Sequence, residues 1–216
     1  VIVGSHAGVS VGPDGVTHQA IEDIALMRVL PRMTVLSPCD AIQAKKITLA
    51  LSANPTLAYL RLAREKTPVI TTEDTPLEIG KGQILYRPEG IAHVAIIATG
   101  ALVANALRAA KDLEEKKHIK VIVVNIHTIK PLDEELIIKV AKEAKAVVTV
   151  EEHQIVGGLG GAVAECLAKS APTPIEFIGV QDQFGQSGTP KELIEHYGMG
   201  RDAIEQAVLK LIERKV

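Results

Sequence analysis

The stretch VAIIATGALVANALRAAKDLEEKKHIKVIVVN, residues 94–125, carries the clearest fold signal in the chain. Short runs of β-branched and small apolar residues over 94–98 and 120–125 predict two strands. Between them, apolar residues recur at helical spacing over 101–115. Strands that alternate with helices in this way form mostly parallel sheets with helices on both faces. The stretch therefore predicts an α/β fold.

The same alternation continues toward the C-terminus. Strands are predicted over 146–150 and 175–180, and helices over 133–144, 160–168, 190–197 and 202–214. Asp133 follows Pro131 and is the expected N-cap of the first of these helices. Residues 93–216 are therefore predicted to form one complete three-layer α/β/α domain.

The residues before this domain predict a smaller unit of the same class. Its strands are expected over 1–3, 33–36 and 57–63, and its helices over 19–30 and 40–52. Asp40 and Gln43 have the spacing of a capping box at the start of the second helix. Residues 1–72 are few for such a domain and open on the end of a strand, so we expect this first unit to be truncated. Residues 73–92 contain several Pro and Gly residues and predict a linker, with a hairpin over 79–86.

The composition narrows the classes of function. Of the 216 residues, 47% are hydrophobic and 23% are charged, which is typical of globular domains. A formal net charge of −2 and an aromatic share of 2% argue against nucleic-acid binding, which relies on basic surfaces and stacking side chains. No apolar run is long enough to predict a membrane span. Cys39 and Cys166 lie far apart with no disulfide or metal pattern, which favours a reducing cytoplasm.

The most unusual segment is GSHAGVSVGPDGVTHQ, residues 4–19, which we call the histidine loop. Its glycines permit backbone conformations closed to other residues, so His6, Asp14 and His18 could point into one space. Imidazoles and a carboxylate suit a polyhydroxylated substrate better than a metal ion. Thr17 is a candidate N-cap for the following helix, which would put His18 at the positive end of the helix dipole. The alternative is a polar turn that merely faces solvent.

Two arginines are candidates for binding an anion. Arg61 and Arg64 flank the end of a predicted strand, where open α/β sheets bind ligands, and a guanidinium there can hold a phosphate. A separation of three residues places them on opposite faces of a strand, so at most one is expected to face a given ligand.

A glycine cluster, Gly157-Gly158-Leu159-Gly160-Gly161, lies between a predicted strand and a predicted helix. The backbone N–H groups of such a turn can hold an anion. The acidic residue of a dinucleotide site is absent at the expected distance, so tight packing or a subunit contact is favoured. A ligand for this cluster stays open.

Taken together, these segments resemble transketolases over essentially the whole chain. The histidine loop resembles the loop of the same kind in their pyrimidine-binding domain, and Leu62-Ala63-Arg64 with Pro68 resembles their arginine segment. Parts of their C-terminal domain resemble Glu151-Glu152-His153 with the glycine cluster, Phe184-Gly185-Gln186-Ser187-Gly188 and Glu195-His196-Tyr197-Gly198. The resemblance implies a partial pyrimidine-binding domain over 1–72 and a C-terminal domain over 93–216.

The resemblance also implies an activity, namely transfer of a two-carbon ketol unit between sugar phosphates in the pentose phosphate pathway. Family members use thiamin diphosphate and a divalent cation such as Mg²⁺. The resemblance implies that His18 is catalytic and contacts the cofactor near its reactive carbon, and that Asp14 binds a substrate hydroxyl. His6 and Arg64 would bind the substrate phosphate.

Some of the family's cofactor-binding parts match no segment of this sequence. These are the glutamate that activates the cofactor, the aromatic residue that stacks on its ring, and the domain that binds diphosphate and metal. We therefore expect the cation to bind outside this chain. We also expect the chain to need an N-terminal transketolase subunit or domain for activity.

Other interpretations stay open. The 1-deoxyxylulose 5-phosphate synthases share the D-G-x-T-H pattern, and the β chains of 2-oxo acid dehydrogenases share the overall layout. Gln19 and the segment over 184–197 favour transketolase over both. A function of another class is an assembly module with no catalysis of its own, because the C-terminal part lacks a convincing catalytic set. We expect the protein to form a homo-oligomer, most simply a dimer, in the cytoplasm.

Overall fold

The computed structural model describes residues 1–214 and contains two sheets with helices packed on them. The strands are β1 (Ile2–Gly4), β2 (Thr34–Leu36), β3 (Ala58–Arg61), β4 (Gln83–Tyr86), β5 (Val94–Ala98), β6 (Val121–Asn125), β7 (Thr128–Lys130), β8 (Val147–Gln154) and β9 (Ile175–Val180). The α-helices are α1 (Asp23–Val29), α2 (Ala41–Ala53), α3 (Val103–Lys117), α4 (Glu134–Ala144), α5 (Leu159–Ser170), α6 (Pro190–His196) and α7 (Arg201–Arg214). Short 3₁₀ helices span Val9–Asp14 and Gly100–Leu102.

The second sheet explains the apolar runs of the opening stretch. Its order is β4-β6-β5-β8-β9, and β6, β5, β8 and β9 are parallel. Along β5, Val94 and Ile96 pack in a cluster with α3 and α7, whereas Ala95 and Ile97 pack in a cluster with α4 and α5. A strand that is buried on both faces must be apolar at every position. The α/β prediction is confirmed for this unit.

The first sheet has the order β1-β3-β2-β7, in which β1, β3 and β2 are parallel. β7 was not predicted from the sequence. It comes from the part of the chain that builds the second sheet, and it pairs antiparallel with β2. The two units therefore share a strand as well as a chain. Two α/β units with mostly parallel sheets confirm the predicted fold class.

Several element boundaries differ from the sequence prediction. The helix expected over 19–30 begins only at Asp23, because Gln19 is buried and its side chain donates to backbone oxygens. The hairpin expected over 79–86 is wrong. A single strand, β4, lies there and pairs antiparallel with β6. β8 runs beyond the predicted strand as far as Gln154 and so carries Glu151, Glu152 and His153 into the junction between the two units.

Helix capping agrees in part with the expected patterns. Asp133 accepts from Leu136 N at 3.2 Å and caps α4 as predicted. Asp40 accepts from Gln43 N at 2.8 Å, which confirms it as the N-cap of α2. Gln43 returns its side-chain oxygen to Cys39 N rather than to Asp40 N, so the reciprocal capping box is absent at this helix. Within residues 1–214 no helix combines the length and the apolar character that crossing a membrane requires.

Candidate functional site

The histidine loop rises from the carboxyl end of β1 and returns beside the end of β3. Leu62 N donates to Gly4 O at 2.8 Å, and Ala7 N donates to Leu62 O at 3.1 Å. Ala7 and Ala20 form an isolated parallel bridge, with Gly8 N donating to Ala20 O at 2.8 Å. Both ends of the loop are thereby fixed at the edge where parallel sheets bind ligands.

The glycines of the loop adopt the conformations that were expected of them. Gly8, Gly12 and Gly15 have φ angles of 90°, 86° and 74°, a region that L-residues with side chains rarely adopt. At Gly8 there is also no room, because a Cβ atom would collide with the Glu152 carboxylate. The loop therefore packs its backbone against the second unit at Gly8, while His6, Asp14 and His18 stay exposed.

Arg64 and Asp14 are in direct contact at the surface of this loop. Arg64 Nη1 donates to Asp14 Oδ2 at 2.6 Å and to Val11 O at 2.9 Å. The two side chains are 35% and 41% exposed, so the pair is open to a ligand. Two of the predicted site residues are therefore brought together by an ion pair.

The two histidines of the loop also lie on its exposed surface. His6 has a φ of 59°, and its Nδ1 lies 3.1 Å from Ser5 Oγ. His18 Nδ1 lies 2.9 Å from Thr17 Oγ1. The proposed cap is wrong: Thr17 contacts the His18 ring, and the N-cap of α1 is Glu22. The argument that a helix dipole acts on His18 therefore fails.

Arg61 is the last residue of β3, and its side chain is buried. Its Nε donates to Asp23 Oδ2 at 2.8 Å, and its Nη2 donates to Ala20 O at 3.0 Å and to Glu152 O at 2.8 Å. Tyr59 Oη donates to the same Asp23 oxygen at 2.7 Å. Burial favours the neutral acid, but the Arg61 charge and these hydrogen bonds bring the Asp23 pKa below its usual value. Arg61 is thus a structural residue. Because β3 ends at Arg61, the argument from opposite faces of one strand does not apply to Arg64, but only Arg64 has an exposed side chain, as expected for one of the two.

The glycine cluster that follows β8 binds an anion of the chain itself. Glu151 Oε2 accepts from Leu159 N at 2.7 Å, and Oε1 accepts from Gly160 N at 2.7 Å, at the start of α5. A Cβ atom at Gly158 would collide with the same carboxylate. Burial raises the pKa of Glu151 to about 7, although both N–H groups favour the ionised form. The cluster therefore serves close packing, as the sequence favoured.

A second segment of the C-terminal unit, residues 184–188, contacts the histidine loop. Gln19 Nε2 donates to Val9 O and to Gln186 O, both at 3.0 Å. Any Cβ atom at Gly15 would approach Ser187 Oγ to 2.6 Å. In the sequence, the segment over 184–188 carries only a resemblance to the family. Its contact with the loop could not be read from local pattern, since the two segments are far apart in sequence.

No metal site is formed by the residues described. Within 1–214 there is no group of three or more His, Cys, Asp and Glu side chains that could hold a metal ion. The exposed polar groups here include the two imidazoles and the carboxylate of the loop and the guanidinium of Arg64. This set can bind hydroxyls and a phosphate and can exchange protons with a bound sugar.

Comparisons with known proteins cover nearly the whole chain. Residues 1–69 match the family model of the transketolase pyrimidine binding domain, and residues 80–204 match that of the transketolase C-terminal domain. A putative transketolase C-terminal section from Methanocaldococcus jannaschii is 42% identical, over 99% of this chain and 66% of that protein. The 6-deoxy-6-sulfo-D-fructose transketolase subunit SqwH of Clostridium sp. (strain MSTE9) is 39% identical, over 99% of this chain and 65% of its own length.

Human transketolase is 33% identical over 99% of this chain but only 34% of its own length. Among solved structures, one described as a split gene transketolase, inactive beta4 tetramer, is 42% identical with a TM-score of 0.90 and is covered over 67% of its length. A transketolase from Campylobacter jejuni, 21% identical with a TM-score of 0.75, shares the fold over 31% of its length and 96% of this chain. The chain thus spans about two thirds of the first relatives and one third of the human protein. By these matches the chain belongs to the transketolase family, as a section that carries the pyrimidine-binding and C-terminal domains.

Proposed function

We propose that this chain provides the substrate-facing wall of a transketolase that transfers a two-carbon ketol unit from a ketose phosphate to an aldose phosphate. The observation that carries the proposal is the exposed Arg64–Asp14 pair on a loop that also presents His6 and His18. A cation, a carboxylate and two imidazoles at one edge of a parallel sheet match the charge and hydroxyl pattern of a sugar phosphate.

In this proposal Arg64 and His6 bind the substrate phosphate and Asp14 accepts from a hydroxyl of the sugar chain. Arg64 Nη1 is engaged by Asp14 and Val11, while its Nε and Nη2 donors make no hydrogen bond to residues 1–214. The Nε–H and one Nη2–H lie on the same side of the planar guanidinium, so together they can donate to two oxygens of a phosphate. Asp14 then has a double task, because it orients Arg64 and contacts the sugar.

His18 is the proposed catalytic residue. Its Nδ1 is occupied by Thr17, which leaves Nε2 as the nitrogen that can reach the substrate. An imidazole in such a position exchanges a proton with the hydroxyl next to the bond that is made or broken. Because this histidine is exposed in the chain, the remaining walls of the reaction chamber must come from another polypeptide segment.

The exposed side chains of the histidine loop fit the substrate side of the family's cofactor, thiamin diphosphate, but they do not provide for its diphosphate and cation. His18 suits the substrate side. No cluster within residues 1–214 suits a divalent cation, so we propose that the diphosphate and its Mg²⁺ bind to a partner N-terminal section. When bound, the cofactor supplies the carbanion chemistry of ketol transfer. The part left to this chain is to hold the sugar phosphate and to move protons at His18.

A partner section and a copy of this chain both have surface available for contact. Large apolar side chains are exposed at β1, on α1 and beyond β8, where they lie at Val1, Ile2, Val3, Leu26, Val29 and Val156. Exposed apolar side chains of this size are suited to contact with another polypeptide. We therefore propose association with an N-terminal transketolase section and with a second copy, in the cytoplasm. The second candidate function, pure assembly, rests on this same surface.

The test is to assay the chain alone and mixed with an N-terminal transketolase section. We expect no turnover of xylulose 5-phosphate and no micromolar binding of thiamin diphosphate by the chain alone, and ketol transfer by the mixture. Micromolar cofactor binding by the chain alone, measured by calorimetry, would contradict the proposed division of the site. Transfer that is unaltered in a His18→Ala mixture would remove His18 from the mechanism and favour the assembly role.

The phosphate role of Arg64 has its own measurement. Arg64→Ala should raise KM for phosphorylated substrates by about tenfold or more, with a smaller effect on unphosphorylated hydroxypyruvate. The matched control is Arg87→Ala. Arg87 follows β4 and is another partly exposed arginine in an ion pair, with Glu143 of α4 as its partner. Equal losses with hydroxypyruvate and with sugar phosphates would show that Arg64 does not bind the phosphate.

A further inference from the structure

The C-terminal unit supplies none of the proposed substrate-binding residues, yet one of its glutamates bonds directly to the histidine loop. Glu152 is only 3% exposed and lies near the end of β8. Its Oε1 accepts from Ser10 N at 2.6 Å, in the 3₁₀ helix between the two histidines of the loop. This distance is at the short end of the range for N–H···O hydrogen bonds, so the contact is a close one.

The same carboxylate also fixes the backbone beside that bond. A Cβ atom at Gly8 would overlap with Glu152, so the loop approaches the carboxylate as closely as a backbone can. The carbonyl of Glu152 accepts from Arg61 Nη2 at 2.8 Å, and the same nitrogen donates to Ala20 O at the loop's return. Glu152 therefore contacts Gly8 and Ser10 of the loop directly, and it contacts Ala20, the residue after the loop, through Arg61.

The contacts continue from Glu152 to the substrate-facing pair. Ser10 precedes Val11, whose carbonyl oxygen accepts from Arg64 Nη1 at 2.9 Å. Arg64 in turn holds Asp14 at 2.6 Å. If Ser10 loses its acceptor, the Val11 carbonyl loses its fixed place and the Arg64 guanidinium loses one of its two anchors.

We propose that Glu152 is the positioning residue through which the C-terminal domain holds the histidine loop in the geometry that binds sugar phosphate. This inference rests on the proposed ketol transfer and assigns the C-terminal domain a part in it. Glu152 does not touch the substrate. It acts through Ser10 and Val11 on Arg64 and Asp14.

Glu151 provides a matched control. It neighbours Glu152 on β8, is equally buried at 1% exposed, and binds two backbone N–H groups. Those groups belong to the start of α5, which carries no residue of the proposed site. Replacing either glutamate removes a buried carboxylate, but only Glu152 touches the loop.

The first experiment measures amide hydrogen exchange in the chain alone, without cofactor. Glu152→Ala should speed exchange at the Ser10 amide by about tenfold, since the buried N–H group loses its acceptor. Glu152→Gln keeps a side-chain oxygen and should stay within about threefold of the unaltered chain, whereas Glu152→Asp, which is shorter by one methylene, should behave like Ala. Glu151→Ala should leave the Ser10 amide unchanged. Equal acceleration by Glu151→Ala and Glu152→Ala, or none by Glu152→Ala and Glu152→Asp, would overturn the inference.

The second experiment measures kinetics in the mixture with an N-terminal transketolase section. Glu152→Asp should raise KM for sugar phosphates by about tenfold with a smaller change in kcat, and Glu152→Gln should restore most of the loss. If Arg64→Ala impairs the mixture and Glu152→Asp does not, the positioning role fails and the proposed function stands. If the unaltered mixture transfers no ketol unit, the proposed function fails, and the exchange measurement still decides whether Glu152 holds the loop.

Discussion

Arg61 and Arg64 are three residues apart, and their replacement should have opposite signatures. Arg61 is buried in the network with Asp23, whereas Arg64 pairs with Asp14 at the surface. We consider Arg61→Met and Arg64→Met, since methionine keeps much of the length of the side chain and removes the charge. The comparison isolates burial, because charge, residue type and neighbourhood in the chain are shared.

The expected magnitude follows from what each arginine leaves behind. Without Arg61, Asp23 keeps only the Tyr59 hydroxyl, and its side chain is 11% exposed. Breaking one side of a buried pair costs about 3–5 kcal/mol. The Glu152 carbonyl also loses a donor, whereas the Ala20 carbonyl keeps Gly8 N. We expect Arg61→Met to lower the free energy of unfolding by about 4 kcal/mol, and Arg64→Met to lower it by less than about 1 kcal/mol.

The assay is urea unfolding at pH 7, followed by far-ultraviolet circular dichroism because the chain has no Trp. Asp23→Asn is added to complete a double-mutant cycle, since the amide still accepts from Tyr59 and leaves no unpaired charge. The double variant should lose less than the sum of the single losses, by about 2 kcal/mol. Similar losses for Arg61→Met and Arg64→Met, or additivity within about 0.5 kcal/mol in the cycle, would refute the reasoning.

Three further predictions concern other parts of the molecule. The Glu151 pKa is raised to about 7 in the folded chain, so the folded state binds more protons than the unfolded state between about pH 4.5 and 7, and the free energy of unfolding should fall over this window by up to about 3 kcal/mol. In chemical unfolding at a series of pH values, Glu151→Gln should flatten this fall, and an unchanged slope would contradict the prediction. Gly8→Ala should lower the free energy of unfolding by about 3 kcal/mol, because backbone strain at a positive φ adds to a collision with Glu152. Gly198→Ala, with a φ of 66° and open space around it, should lower it by only about 1 kcal/mol, and equal shifts in Tm would argue against the collision. Burial raises the pKa of the Cys39 thiol to about 12, so labelling by a thiol reagent at pH 8 should be about a thousandfold slower in the folded chain than in urea; fast labelling of the folded chain would show that this segment opens.

Local patterns predicted the second unit well. The strands there are buried on both faces, so their apolar runs are continuous, and caps such as Asp133 obey rules that act within one turn of helix. The same local rules also predicted the histidine loop and its glycine conformations, because backbone positions with a positive φ favour glycine.

Most failures of prediction involve partners that are distant in sequence. Thr17 has the type of an N-cap, but Gln19 is drawn away from the helix by acceptors at Val9 and at Gln186. β7 has only three residues and exists as a strand because β2 lies beside it. The role of Glu152 depends on Ser10, which precedes it by 142 positions. No window of neighbouring residues contains that information.

The short strand Thr128–Lys130 has a consequence for how this polypeptide could be divided. A gene cut at the Pro- and Gly-containing segment before β5 would leave the upstream product with β2 as a bare edge, since the strand that covers it is encoded far downstream. Uncovered edges invite pairing with foreign strands and aggregation. We therefore expect a division that separates β7 from β2 to be tolerated less readily than one that leaves the two strands on the same product.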